Sequence, residues 1–247
     1  MISQLAHAKK LAVVSDFDGT LAEFSTDRFD VHAHPDAISA LEALAALENT
    51  TVAVLSGRDI TGLRRICPLG DPVIFGGSHG AQTALAGTGE VETALSPEGR
   101  AHLTAMEARA REIVRRFPGT DVEVKPFQVV LHVRELSQHD PDAAQAALDA
   151  AASADTHGFP FTLGKGVAEF SATTATKGSW LNQLRADTGA TICFLGDDVT
   201  DEHGFQALRA GDVGVKVGPG ATAASARVAD VNAVAAFLTE LAAARAK

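Results

Sequence analysis

Apolar residues in this chain fall into short unbroken runs, each closed by a polar or glycine-rich segment and separated from the next by stretches with helical spacing. Leu11-Ala12-Val13-Val14 leads into Ser15 and Asp16, Thr51 to Leu55 ends in Ser56-Gly57-Arg58, and Val73-Ile74-Phe75 ends in Gly76-Gly77-Ser78-His79-Gly80. Further on, Thr191 to Leu195 ends in Gly196-Asp197-Asp198, and Val213 to Val217 reads as the last strand. Runs without alternation predict strands buried on both faces. Between them, Ile38, Leu41, Leu44, Ala45 and Leu47 predict a helix opened by Pro35, Trp180, Leu181 and Leu184 predict one capped by Thr176-Lys177-Gly178, and a last helix covers roughly Val231 to Ala244. Strands alternating with helices predict an α/β fold with a parallel sheet, and ligands of such sheets bind at the carboxyl ends of the strands.

The pattern changes at Ser96-Pro97-Glu98, where an amphipathic helix carrying Leu103, Met106, Ile113 and Val114 runs to about Phe117. Val122 to Lys125 and Val129 to Arg134 then alternate apolar and polar positions, with a change of parity at Pro126-Phe127 that predicts a turn. An alanine-rich helix from Pro141 to Ala152 and a further strand set between Phe159 and Phe170 complete a small α+β unit. Residues 98–168 are expected to form a domain inserted into a core made of 1–97 and 169–247, with hinges near Ser96 and Phe170.

A length of 247 residues suits one large domain or two modest ones. The net charge of −10 is spread along the chain, so neither a nucleic acid nor an anionic membrane surface is an expected partner. No apolar run approaches the roughly 20 residues of a membrane span, and the four apolar residues after Lys9-Lys10 are too short for a secretory leader. Cys67 and Cys193 alone make no disulfide framework, and a cytoplasmic monomer with reduced thiols is expected.

The chemistry concentrates at the strand ends. Asp16 and Asp18 stand two positions apart, which in an extended segment points both carboxylates the same way, and such a pair repels unless a cation or proton lies between. Gly19 permits a tight turn, and Thr20 offers a hydroxyl and an N–H to an anion. Asp-x-Asp-Gly also occurs in calcium loops and plain surface turns, so its meaning depends on what accompanies it. In the inferred sheet it is accompanied by Ser56, by Lys177 at a helix start where the dipole disfavours a cation, and by Asp197, Asp198 and Asp201. Five carboxylates at one sheet edge call for a hard divalent ion. Mg²⁺ with Asp16, the Asp18 main-chain carbonyl and Asp197 as protein ligands is the expected arrangement.

In this order the four pieces resemble the signature of the haloacid dehalogenase (HAD) superfamily of phosphotransferases: Asp16-Phe17-Asp18-Gly19-Thr20, then Ser56, then Lys177, then Gly196-Asp197-Asp198 with Asp201. The resemblance covers essentially the whole chain. It implies a Rossmann-like core with helices on both faces of the sheet, Asp16 as nucleophile and Asp18 as general acid/base. Ser56 and Lys177 would act on the transferring phosphoryl group, with Thr20, Asp198 and Asp201 supporting them.

More narrowly, the chain resembles the trehalose-6-phosphate phosphatases, through Ser56-Gly57-Arg58, Gly77-Ser78-His79-Gly80, Glu123-x-Lys125, His132-x-Arg134, Lys165 to Glu169 and the Gly196 to Glu202 segment. The resemblance implies an inserted cap that grips the disaccharide. Arg58, Ser78, His79, Glu123, Lys125, His132, Arg134, Lys165 and Glu169 are the expected substrate contacts, and the first four cap residues are read as one polar strand face. Val133, Val199 and Pro126-Phe127-Gln128 depart from the family pattern without removing a catalytic group. The expected function is Mg²⁺-dependent hydrolysis of trehalose 6-phosphate, a small-molecule sugar phosphate. Phosphatases of sucrose phosphate or mannosyl-3-phosphoglycerate, and a phospho-sugar sensor without turnover, remain the alternatives.

Overall fold

A computed structural model describes residues 1–23, 25, 30–93, 95–164 and 166–247. In chain order its elements are α1 (Ile2–Ala6), β1 (Leu11–Ser15), α2 (Pro35–Ala45), β2 (Thr50–Leu55), α3 (Ile60–Ile66), β3 (Ile74–Gly77), β4 (Gln82–Ala84) and β5 (Val91–Thr93). There follow α4 (Pro97–Arg116), β6 (Asp121–Lys125), β7 (Gln128–His132), α5 (Arg134–His139), α6 (Pro141–Ala152), β8 (Phe161–Gly164) and β9 (Val167–Ser171). The last are α7 (Lys177–Thr188), β10 (Thr191–Gly196), α8 (Val199–Gln206), β11 (Val213–Val217), β12 (Ala226–Val228) and α9 (Val231–Arg245). The chain divides into two compact units, Met1–Thr93 with Ala175–Lys247, and Ala94–Thr174.

The larger unit is a sheet of order β12-β11-β10-β1-β2-β3-β4-β5, parallel from β12 to β3 and antiparallel beyond. Its central strands β1, β2 and β10 are largely apolar because both faces are covered. Leu11, Val13, Val52, Val54, Cys193 and Leu195 pack on one side with α2 and α9, while Ala12, Val14, Ala53, Leu55, Ile192 and Phe194 pack on the other with Trp180, Leu181 and Leu184 of α7 and Phe205 of α8. Period-two alternation thus sorts every second residue to a different hydrophobic layer. Winding runs from β1 to β2 and β3 in one direction and from β10 to β11 and β12 in the other, which makes the carboxyl ends of β1 and β10 the point where strand order reverses. Val213–Val217 is therefore not the last strand: Ala226–Val228 adds an edge beyond it, paired Val215↔Ala226 to Val217↔Val228.

In the smaller unit four antiparallel strands lie in the order β6-β7-β9-β8. Met106, Ala110 and Ile113 of α4 and Ala144, Ala147 and Ala151 of α6 pack on Val129, Leu131, Ala168 and Phe170. The alanines let α6 approach the sheet closely. Ser96 caps α4 by accepting from the Gly99 N–H at 3.1 Å, and Asp140 caps α6 through the Ala143 N–H at 3.0 Å. Because β9 continues to Ser171 and pairs with both β7 and β8, Glu169 belongs to this sheet, past the expected boundary at residue 168.

Arg134 is not on a strand face with Glu123, Lys125 and His132. β7 ends at His132, and Val133 stays in the core at 1% exposure while its N–H bonds the Gly166 carbonyl at 2.9 Å. The chain turns there, so that Arg134 opens α5 in an exposed position. Among the described residues no helix is long and apolar enough to cross a membrane.

Candidate active site

Asp16 follows β1 directly, anchored by its N–H to the Leu195 carbonyl at 2.9 Å. Its Oδ1 lies 2.8 Å from Lys177 Nζ, and the same ammonium is 2.7 Å from Asp201 Oδ1. Asp16, Lys177 and Asp201 are all buried, with Lys177 2% exposed and Asp201 fully enclosed. Burial disfavours the ammonium, but Asp16 and Asp201 outweigh it and push the Lys177 pKa up. The two carboxylates hold the cation at this helix start, and a reciprocal cap fixes the backbone there: Thr176 Oγ1 accepts the Ser179 N–H at 3.1 Å, and Ser179 Oγ receives the Thr176 N–H at 3.0 Å.

Asp201 also organises the loop after β10. Its Oδ2 accepts the main-chain N–H groups of Asp197 and Asp198, each at 3.0 Å. A Cβ on Gly196 would come within 2.3 Å of Asp201 Cγ, so only glycine lets the carboxylate sit there. Asp198 itself is exposed and caps α8 through the Val199 N–H at 2.7 Å. Of the two acids expected to hold Lys177, only Asp201 is bonded to it.

One carboxylate oxygen each of Asp16, Asp197 and Asp201 lie within 4.8 Å of one another. Asp197 Oδ1 is buried and has no hydrogen-bond partner among the described residues. Burial, with Asp201 nearby, pushes the Asp16 pKa well above the ordinary carboxylate range even beside Lys177, and burial with Asp201 and Asp198 pushes Asp197 up to about 6. The pocket thus holds more negative charge than its own cations balance. A donor set of oxygens only, with one orphaned carboxylate oxygen, fits a hard divalent cation. Because both oxygens of Asp201 are already engaged, Asp16 and Asp197 are the carboxylates best placed to ligate it.

Lys216, a residue the sequence reading missed, is 5% exposed on β11 and donates from Nζ to the Asp197 main-chain carbonyl. Its signal in the sequence is a single charge inside the otherwise apolar run Val213-Gly214-Val215-Lys216-Val217.

The two acids of the first motif have different partners. While Asp16 faces Lys177, Asp18 accepts from Arg58, Nε to Oδ2 at 2.6 Å and Nη2 to Oδ1 at 2.7 Å. Phe17 between them is fully buried, and Thr20 is fully buried with a hydroxyl that has no partner among the described residues. Ser56 is 1% exposed, and its Oγ accepts the Arg58 N–H at 3.1 Å.

The turn Ser78–Gly80 is locked to the same segment: the Ser78 N–H bonds the Arg58 carbonyl at 2.7 Å and the His79 N–H bonds the Ser56 carbonyl at 3.0 Å. Ser78 and His79 both have positive φ, 50° and 57°, an uncommon conformation for residues with a Cβ that surrounding structure must hold. The His79 ring lies against Gly57, where a Cβ would meet Cε1 at 2.5 Å.

In the small unit, pairing sets Glu123, Val130, Glu169 and Thr162 in one row across the sheet, on the face opposite the helices. Glu123 Oε2 is 3.2 Å from His132 Nε2 and 3.6 Å from Lys125 Nζ. This face therefore carries three carboxylates, Asp121, Glu123 and Glu169, with an imidazole and an ammonium on neighbouring strands. Lys165 lies outside the described residues.

A sequence model of a family described as trehalose-phosphatase matches residues 14–233. The trehalose-6-phosphate phosphatase of Escherichia coli (strain K12) is 31% identical over 237 residues, covering 93% of this chain and 85% of that protein. The trehalose-phosphate phosphatase of Mycolicibacterium paratuberculosis is 33% identical over 210 residues, covering 82% of this chain and 52% of that protein, so the chain spans about half the length of this relative. Among solved structures, crystal form 3 of Aspergillus fumigatus trehalose-6-phosphate phosphatase superposes with a TM-score of 0.79 at 22% identity, covering 98% of this chain and 96% of that one.

Proposed function

Because the chain belongs to the trehalose-phosphatase family, a phosphatase family of the HAD superfamily, we propose that it hydrolyses trehalose 6-phosphate to trehalose and phosphate through a phosphoryl group carried on Asp16. The observation that supports this chemistry most directly is the buried Asp16–Lys177–Asp201 chain beside an Asp197 oxygen with no partner among the described residues, at the point where strand order reverses.

Asp16 is the nucleophile. A carboxylate oxygen forms a bond to phosphorus while the bond from phosphorus to the sugar oxygen breaks, and the departing electron pair takes a proton from Asp18. Water then attacks phosphorus, gives a proton to the Asp18 carboxylate, and the bond to Asp16 breaks, which releases phosphate and restores the Asp16 carboxylate and the protonated Asp18. Lys177 orients Asp16 and offsets charge on the transferring oxygens. Ser56 Oγ accepts the Arg58 N–H, which leaves its own hydrogen free to donate to a phosphate oxygen. Mg²⁺ bound by Asp16, the Asp18 carbonyl and Asp197 would supply charge neutralisation to the phosphoryl group. Asp201 fixes Lys177 and the loop, Asp198 caps the helix behind it, and Thr20 supports the first motif.

The smaller unit is the specificity domain in this reading. Glu123, Lys125, His132, Arg134, Lys165 and Glu169 bind sugar hydroxyls through charge-assisted hydrogen bonds. A cytoplasmic monomer acting on a diffusible substrate is consistent with two buried, free cysteines.

The test is phosphate release with Mg²⁺ from trehalose 6-phosphate, sucrose 6-phosphate, glucose 6-phosphate and mannosyl-3-phosphoglycerate, each repeated in EDTA. Preference for the first, lost with the chelator, is expected. Preference for another sugar overturns the substrate, and binding without release overturns the activity.

A further inference from the structure

Arg58 grips Asp18 with two sides of its guanidinium, at 2.6 and 2.7 Å. A bidentate pair of this kind fixes the plane of a carboxyl group as well as its position, which a single hydrogen bond does not. Arg58 is itself fixed at the main chain, its N–H on Ser56 Oγ and its carbonyl on the Ser78 N–H. The left-handed Ser78-His79 turn is braced in turn, because Gln82 Oε1 accepts both Ser78 Oγ at 3.2 Å and the Ile60 N–H at 3.1 Å. The result is a continuous train of hydrogen bonds from Gln82 through the strained turn to Arg58 and so to Asp18. Neither side chain of the ion pair is deeply enclosed, at 18% and 26% exposure. A purely structural ion pair this open contributes little to stability, which leaves the backbone strain and the bracing unexplained.

We infer that Arg58 is a positioning residue for proton transfer by Asp18: it sets the carboxyl so that one oxygen meets the leaving sugar oxygen. Each carboxyl oxygen has two acceptor sites, so Asp18 carries the proton on the side away from the guanidinium without releasing Arg58. This role differs from the direct sugar contact expected from the sequence. It rests on the assignment of Asp18 as general acid under the proposed function, so the experiment must separate the two.

Loss of a general acid slows departure of a poor leaving group far more than that of a good one. Single-turnover release of the leaving group is measured at saturating substrate for trehalose 6-phosphate, whose alkoxide needs a proton, and for 4-nitrophenyl phosphate, whose phenolate does not. Asp18→Asn and Arg58→Gln are each expected to shift the ratio of the two rates by roughly 100-fold against the sugar phosphate. Arg58→Lys, which keeps the charge and loses the fork, is expected to recover less than about a tenth of that. The double variant is expected within about threefold of Asp18→Asn, because the two residues act as one unit.

If Arg58→Gln raises the KM for trehalose 6-phosphate and leaves the ratio intact, Arg58 is a sugar contact and the inference is wrong. If it slows both substrates equally, or Arg58→Lys matches the native ratio, positioning by the fork is wrong. A ratio unmoved by Asp18→Asn overturns the acid assignment itself, and the role of Arg58 with it. Circular dichroism confirms that each variant is folded, and Arg58→Lys carries the test if Arg58→Gln is not.

Discussion

Lys177 and Asp201 meet at 2.7 Å with 2% and 0% of their side chains exposed, and the other oxygen of Asp201 carries the N–H groups of Asp197 and Asp198. One carboxylate thus holds both the cation beside Asp16 and the loop that presents Asp197. Asp201→Asn removes its charge and leaves Lys177 with Asp16 alone. A destabilisation of about 3 kcal/mol is expected, the scale for breaking one side of a buried ion pair. Urea unfolding checks it, and a change below about 1 kcal/mol would show that Asp16 suffices for Lys177.

Asp197 Oδ1 lacks a partner among the described residues, and the Asp16 and Asp197 carboxyls are pushed above their ordinary range. A cation that binds here must therefore stabilise the native state. At about 100 times its dissociation constant, Mg²⁺ should add about 2.7 kcal/mol, visible as a rise in Tm of several degrees. Asp197→Asn should lose most of that rise while its Tm in EDTA equals or exceeds the parent's. An equal Mg²⁺ shift in both proteins would place the cation elsewhere.

His102 on α4 is 4% exposed, stacks on Phe159 with ring centroids 4.5 Å apart, and has neither ring nitrogen hydrogen-bonded among the described residues. Burial, then the neighbouring His157, pushes its pKa below 6.5, while Asp155 acts weakly against them. The unfolded chain therefore binds the proton more readily than the folded one. Stability is fully present above about pH 6.5 and falls as the pH drops through that value toward the lowered folded pKa. Thermal melts at stepped pH should show this loss, and His102→Phe should flatten it. An identical slope in the variant would assign the effect to other groups.

Glu123 shares its row with Glu169 and lies 3.2 Å from His132. If this face reads the sugar, Glu123→Ala should raise the KM for trehalose 6-phosphate about tenfold or more, the scale of a charge-assisted hydrogen bond, with far less effect on 4-nitrophenyl phosphate. Equal losses on both substrates would remove Glu123 from sugar recognition.

The alternation of buried runs and helices made the parallel sheet legible, because a strand covered on both faces has no polar position to spare, as Val13 and Val14 show by packing in opposite layers. β12 escaped because three residues carry no period, and the helix at Arg134 escaped because His132-Val133-Arg134 keeps the alternation of a strand while the chain turns around a buried Val133. At the site, residue types and their order along the chain were readable, but partners were not. Nothing local joins Arg58 to Asp18 or Lys216 to Asp197: those pairs arise only when strands distant in sequence come together.

β1 lies between β2 and β10, so Leu11 aligns with Thr191 as well as with Thr50. During synthesis this strand leaves the ribosome long before one of its two neighbours exists, and one side of its backbone must wait unpaired while the entire smaller unit emerges. That unit encloses its own hydrophobic cluster and can fold in the interval. Asp16 acquires Lys177 and Asp201 only when the last third of the chain arrives. A nascent or truncated chain is on this account unable to assemble the buried charge cluster, and the slow, non-local closure of the sheet is the event that brings it into being.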